Sequence, residues 1–175
     1  MNMQSNTALY DLQFSESRTW LVAALMSVGN ILLPQLCHLV PQGGLILLPI
    51  YFFTLIGAYK YGLRAGLLIA VASPLANHLL FGMPPAPMLP VLLFKGTALA
   101  VVAALVARRA GRVTLPLLMV VVAGYQLLGG IGEAIITGSL SAPLQDIRLG
   151  WPGLLLQVVL GYVVIRHMPS PRTAE

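Results

Sequence analysis

Charge is what this chain has least of. Only 9% of its 175 residues are Asp, Glu, Lys or Arg, against roughly 25% in soluble globular domains. With 58% hydrophobic residues, it cannot present the polar surface a soluble domain needs, and it reads as an integral membrane protein. Cysteine is nearly absent too: Cys37 stands alone, which excludes an internal disulfide and leaves a cysteine-based zinc site unsupported. No phosphate-cradling loop occurs. GLRAGLL and LLGGIGEA are glycine-rich, but neither ends in Lys followed by Ser or Thr, so ATP-driven work would belong to another chain. Paired carboxylates, a His-Glu metal motif and a nucleophile motif are missing as well. The formal charge of +5 does not point to nucleic acid, because the basic residues sit at the ends of apolar segments and not in a stripe.

What is present is a series of long apolar runs bounded by charge, Pro or Gly. A crossing needs about 20 apolar residues at 1.5 Å rise each, and six segments qualify: 19–40, 45–60, 62–82, 87–108, 114–138 and 149–167. Lipid requires each to satisfy its own backbone, so the expected fold is all-α, a bundle of six transmembrane helices. The second is short and contains Pro49, so it is expected to start late or tilt. A polar segment 1–18 and a tail 169–175 flank the membrane domain 19–168, and the N-terminal segment is expected to be retained because the apolar run after it is too long for a signal-peptide core. With the N-terminus inside, Arg18, Lys60, Arg64, Arg108, Arg109, Arg112, Arg166 and Arg172 collect on the cytoplasmic side, eight of the ten basic residues. The positive-inside rule therefore places both termini in the cytoplasm, and VPQGG, GMPPAP and TGSLSAPLQDIR become the outer connections.

The remaining polar residues are unevenly distributed along the spans. By the rise per residue, His38 lies ~27 Å above Trp20, Asn77 and His78 ~23 Å above Gly62, and Lys95 ~12 Å below Pro87. Glu133 returns to the outer third, with Gln126 two turns earlier on the same helical face. Asn30, Gln35, His38, Asn77, His78, Lys95, Gln126 and Glu133 thus occupy mainly the outer half. Ionisable groups in a span cost at least ~2.5 to 3.5 kcal/mol and usually face a cavity or one another. A proton path would continue across the membrane, whereas this set stops near the middle, as a solute pocket would. Lys95 and Glu133 are expected to pair, and Glu133 lies in a Gly-rich stretch where the helix is expected to break. Three helices without motif spacing make a metal site from the histidines and Glu133 a remote reading.

Several stretches carry a family resemblance. GNILLPQLCHLVP, LPIYFFTLIGAYKYGLRAGLLIAVASPLANHLLFGMPPAPMLP and KGTALAVVAALVARR resemble the substrate-binding S components of energy-coupling factor (ECF) transporters, over about residues 20 to 110. The resemblance implies a non-enzymatic subunit of a bacterial inner-membrane ABC importer. Such a subunit captures a vitamin or related micronutrient in an outward pocket, then docks on a transmembrane T component carrying two ATPases. It implies docking through small residues of the first helix, here Ala23, Ala24 and Ser27, although the last departs from the family's Ala-x-x-x-Ala. Lys95 would meet an anionic group of the solute, and Glu133 would balance Lys95 or accept hydrogen bonds. Asn77, His78, His38 and Gln126 would supply neutral hydrogen bonds, while Met83, Tyr51, Phe52 and Trp151 would line the apolar part. A carboxylate-bearing vitamin is mildly favoured, with a planar ring system, or haem through the histidines, left open. Two other classes stay open: a membrane scaffold in which Lys95 and Glu133 only stabilise the bundle, and an intramembrane enzyme using Glu133 and a histidine as acid and base.

Overall fold

The computed structural model describes residues 9–37, 39 and 41–168. Every regular element among them is helical: α1 (Ser17–Cys37), α2 (Gly43–Leu47), α3 (Phe52–Tyr61), α4 (Leu63–Phe81), α5 (Leu89–Ala110), α6 (Leu115–Thr137) and α7 (Ser141–His167). Single 3-10 turns, Pro49–Tyr51 and Ala86–Met88, precede α3 and α5. Five helices are long and apolar enough to cross a membrane: α1, α4, α5, α6 and α7. Their outward faces carry exposed Leu, Ile, Val and Trp, such as Leu25, Leu79, Ile135 and Trp151, the pattern of a multi-pass membrane protein.

The segment expected as a second continuous span is discontinuous. Pro49 lacks an amide hydrogen and disfavours the α conformation of the residue before it. Leu48, between α2 and the 3-10 turn, adopts a left-handed conformation, φ 47°, which is uncommon outside glycine. Below this break α3 is the most enclosed element of the bundle, with Thr54 to Lys60 all buried. It packs against α1, α4, α5 and α7.

A break at membrane depth exposes backbone groups that lipid cannot satisfy. Two buried amide side chains deal with it. Asn30 of α1 accepts from the Phe53 amide at 3.0 Å, taking one of the free N–H groups of the first turn of α3. Its Nδ2 donates to Thr54 Oγ1 at 2.9 Å and Ser73 Oγ at 3.2 Å, tying α1, α3 and α4 together. From the other side, Gln157 of α7 donates to the Leu48 carbonyl at 3.4 Å while accepting from the Tyr125 hydroxyl at 3.1 Å.

Two further expectations are corrected. The helix does not break at Gly129, Gly130 and Gly132; α6 runs unbroken through them. Their missing side chains serve packing, since a Cβ on Gly129 would lie 2.7 Å from Lys95 Cγ and one on Gly132 would run into the Phe94 ring. Small residues let α5 and α6 approach closely. The last helix starts at Ser141, not at 149. Pro143 falls in its first turn, where the missing N–H costs nothing, and no Gly or Pro interrupts Leu144 to Leu149.

The ends of the bundle differ chemically. One gathers the start of α1, the end of α3, the α5–α6 connection and the end of α7, with their basic residues. There Tyr10 and Leu12 amides donate to the carbonyls of Lys60 and Tyr61 at 2.8 and 3.1 Å. Lys60 donates to the Met168 carbonyl, and the Tyr59 hydroxyl to that of Arg112. The opposite end gathers the connections around residues 41–42, 82–88 and 138–140 and holds the buried Lys95 with Glu133 and Asp146.

Candidate functional site: a lysine with two carboxylates beneath a proline-rich rim

Lys95 sits six residues inside α5, Glu133 four residues before the end of α6, and Asp146 five residues into α7. At 1.5 Å per residue these offsets place all three about 6 to 9 Å below their helix ends, so three neighbouring helices deliver charge at one level. The Lys95 Nζ donates to Asp146 Oδ2 at 2.5 Å. It also lies 2.6 Å from Glu133 Oε2. The latter is an ion-pair contact without hydrogen-bond alignment, so Glu133 Oε2 is buried with no hydrogen bond among the described residues. The Lys95 side chain is 3% exposed, against 13% for Glu133 and 21% for Asp146. Gly129 makes the arrangement possible, because its bare α-carbon gives room to the lysine stem.

Beside this cluster lies a cavity of about 410 Å³, toward the small end of the ~300 to 1,000 Å³ typical of small-molecule sites. All three connections or helix starts at this end reach it: Gln42 and Gly44, then Met83, Pro84 and Pro85, then Asp146. The helix break supplies Leu48, Pro49, Ile50 and Tyr51. Apart from Lys95, Glu133 and Asp146, the lining is uncharged among the described residues.

Five residues singled out from the sequence meet here: Asn77, Met83, Lys95, Glu133 and Tyr51 all line the cavity. Asn77 is buried and accepts from Gln35 Nε2 at 3.1 Å. His78 is not in the lining; its Nδ1 donates to the Pro84 carbonyl at 2.7 Å. A carbonyl only accepts, so Nδ1 carries the proton. The histidine thereby ties the end of α4 to the proline turn that walls the cavity, which includes a cis Met83–Pro84 peptide. Gln126 is buried outside the lining, and its Nε2 has no partner among the described residues. Phe52 is half-buried against the core, and Trp151 is 58% exposed on the outside of the bundle. His38 lies outside the described residues. Of the three small residues on α1, Ala23 and Ser27 are buried in the bundle and Ala24 is exposed.

Sequence reasoning missed Asp146, Gln157 and the break at Leu48. A count would have found the first: of five acidic residues, Asp11, Glu16 and Glu175 lie near the termini, leaving Glu133 and Asp146 to share the lone mid-chain lysine within a span. Gln157 is a single amide in the apolar run WPGLLLQVVLGY. A second cavity, about 470 Å³, lies at the basic end between the N-terminal segment, α3 and α5, and includes Tyr10, Asp11, Gly62 and Arg108. It holds none of the candidate residues.

No protein-family model, curated protein or solved structure matches the chain. Among the described residues no group of three or more His, Cys, Asp or Glu side chains has the arrangement to hold a metal ion.

Proposed function

We propose that this chain is the substrate-binding S subunit of an ECF-type ABC importer in a bacterial inner membrane. In this reading α2, the 3-10 turn and α3 together form the second of six crossings, and both termini lie in the cytoplasm with the basic end. The cavity at the other end faces outward and captures a vitamin or related micronutrient. The loaded subunit docks on a T component bearing two ATPases, with α1 as the docking helix and Ala24 as its exposed small residue.

One observation carries the proposal. The cavity sits at the end opposite the basic rim, its charged groups come from three separate helices, and its wall contains a broken helix held open by buried amides. Discontinuous helices recur at the solute sites of transporters; here the break shapes the cavity wall, while its own backbone groups are taken up within the bundle. The uncharged proline turn would cover a solute at little ordering cost, since proline restricts the open state as much as the closed one.

The test is to purify the protein in detergent, denature it, and identify any released small molecule by mass spectrometry, while probing the native complex by pull-down. A stoichiometric ligand together with a T component and ATPases is the expected outcome. Empty protein without those partners would reject the assignment. The rival reading as a scaffold draws on the same triad, because Lys95 is already neutralised from within the bundle; variants that separate the two are argued in the Discussion.

A further inference from the structure

We infer that the cavity takes a compact organic cation with an apolar body and at least one hydrogen-bond acceptor. This rests on the solute-binding reading above and narrows it.

The first ground is charge. Lys95 was the natural receptor for an anion as long as its charge was free, but both carboxylates lie against its Nζ, at 2.5 and 2.6 Å. Counted as ionised, one cation against two anions leaves a formal charge of −1 in the wall. Arg148, two residues beyond Asp146, is exposed and does not line the cavity. A carboxylate or phosphate entering here would add like charge in a site shielded from water, where such repulsion is least screened.

The amino end of α3 offers no alternative anion receptor, although helix starts often do. Its amides are already used: Tyr51 N donates to the Leu48 carbonyl, Phe52 N to that of Pro49, and Phe53 N to Asn30.

The second ground is unfilled hydrogen-bonding capacity. Tyr51 is only 5% exposed and lines the cavity, yet its hydroxyl makes no hydrogen bond among the described residues. Asn77, 2% exposed, receives a bond at Oδ1, but its Nδ2 donates none among the described residues. Buried polar groups in folded proteins nearly always find partners. Here these two donors point to a partner from outside the chain. A cationic nitrogen would sit against Glu133 and Asp146, an acceptor atom would meet the Tyr51 hydroxyl and Asn77 Nδ2, and the ligand's apolar body would lie on Pro49, Ile50, Met83 and Pro85. Methionine's polarisable thioether adapts readily to such a body.

Three probes of nearly the same shape and different charge test this: benzamidine (cation), benzoate (anion) and benzamide (neutral), each added to the purified full chain in detergent while its melting is followed. Benzamidine is expected to raise the melting temperature in a concentration-dependent way, with smaller or no effect from the other two. Glu133→Gln and Asp146→Asn, which neutralise charge with little change in shape, should each weaken the benzamidine response by about tenfold or more, equivalent to one decade in dissociation constant. If one variant fails to fold, the other and the wild-type series still decide. An equal or larger rise with benzoate or benzamide overturns the cation assignment and leaves solute binding standing. An unchanged response in both variants places the cation elsewhere and overturns it as well. No rise with any probe overturns it too, and recovery or absence of the T component and ATPases in the pull-down then judges the solute-binding reading separately.

Discussion

Replacing Lys95 by methionine should harm the protein more than replacing the whole charged cluster. Lys95→Met keeps the length of the stem beside Gly129 but leaves Glu133 and Asp146 facing one another, 13% and 21% exposed, without their cation. Removing one partner of a buried ion pair costs about 3 to 5 kcal/mol, whereas exchanging all partners for apolar groups is often neutral or stabilising. The partial exposure of both acids argues for the lower end, about 3 kcal/mol. The combined variant K95M/E133M/D146L removes the desolvation cost along with the attraction, and is expected within ~1 kcal/mol of the parent. E133Q leaves the Lys95–Asp146 pair intact and should cost ~1 kcal/mol. Denaturant titration in mixed micelles, followed by tryptophan fluorescence, measures all three. The strain imposed by K95M alone would be relieved by the added changes, a coupling that only side chains in direct contact produce. A single K95M no worse than the combined variant would refute the reasoning, because the three groups would then not share a field. The combined variant also separates the functional readings: a scaffold carrying it should still work, whereas a solute-binding subunit should fold and no longer retain its ligand.

Three other outcomes follow from the same geometry. Asn30→Leu should cost about 2 to 3 kcal/mol in the same titration: interhelical hydrogen bonds in membranes average only ~0.6 kcal/mol, but the Phe53 amide would be left buried and unpaired at ~1 to 3 kcal/mol; a loss below ~0.5 kcal/mol would contradict the role given to Asn30. Gly153→Ala should destabilise by about 2 to 3 kcal/mol, since its Cβ would lie 2.5 Å from the Leu47 backbone carbonyl and backbone gives way poorly. Gly82→Ala, with open space around it and φ 68°, should cost only the ~1 to 2 kcal/mol of left-handed strain, and the reverse order would be inconsistent with the α2–α7 contact. For orientation, Cys37→Ser removes the native thiol, after which an impermeant maleimide should label Met83→Cys in intact cells and Arg112→Cys only after permeabilisation; the opposite pattern would invert the topology.

Helix existence was legible because lipid leaves few choices: apolar runs of membrane length must be helical, and five of the six expected runs are. The exception was legible only as a local irregularity at Pro49, since a proline marks where a ladder is interrupted without saying which side chains repair it. The repair comes from Asn30 and Gln157, 18 residues before and 109 after Leu48 in sequence, and no local pattern connects them. Depth arithmetic brought Lys95 and Glu133 to one level because both are measured along regular helices. It failed for Asp146, whose helix continues upward into a stretch polar enough to read as a loop. The glycines of α6 were read as a weak point in the backbone, but inside a bundle a missing Cβ is more often space for a neighbour, here the Lys95 stem and the Phe94 ring. His78 was read as a ligand group and instead fixes the Pro84 carbonyl, a distinction that depends on the path of the turn six residues on.

The helix break and the charged triad are linked through space. Had α2 and α3 been one straight helix, its side chains would have continued up the bundle axis where Leu48, Pro49 and Tyr51 now border an open cavity, and Lys95, Glu133 and Asp146 would have been packed over as a closed internal cluster. The break diverts the chain toward α7, where Gly153 admits the Leu47 backbone, and so leaves the triad one open side. That opening carries a cost: a left-handed Leu48, a helix start that needs Asn30 as a cap, and a carbonyl that needs Gln157. A triad serving stability alone would gain nothing from it, because closing the space would strengthen the ion pairs and restore dispersion contacts along the axis. In the proposed binding role, that open side is where a solute would meet the triad.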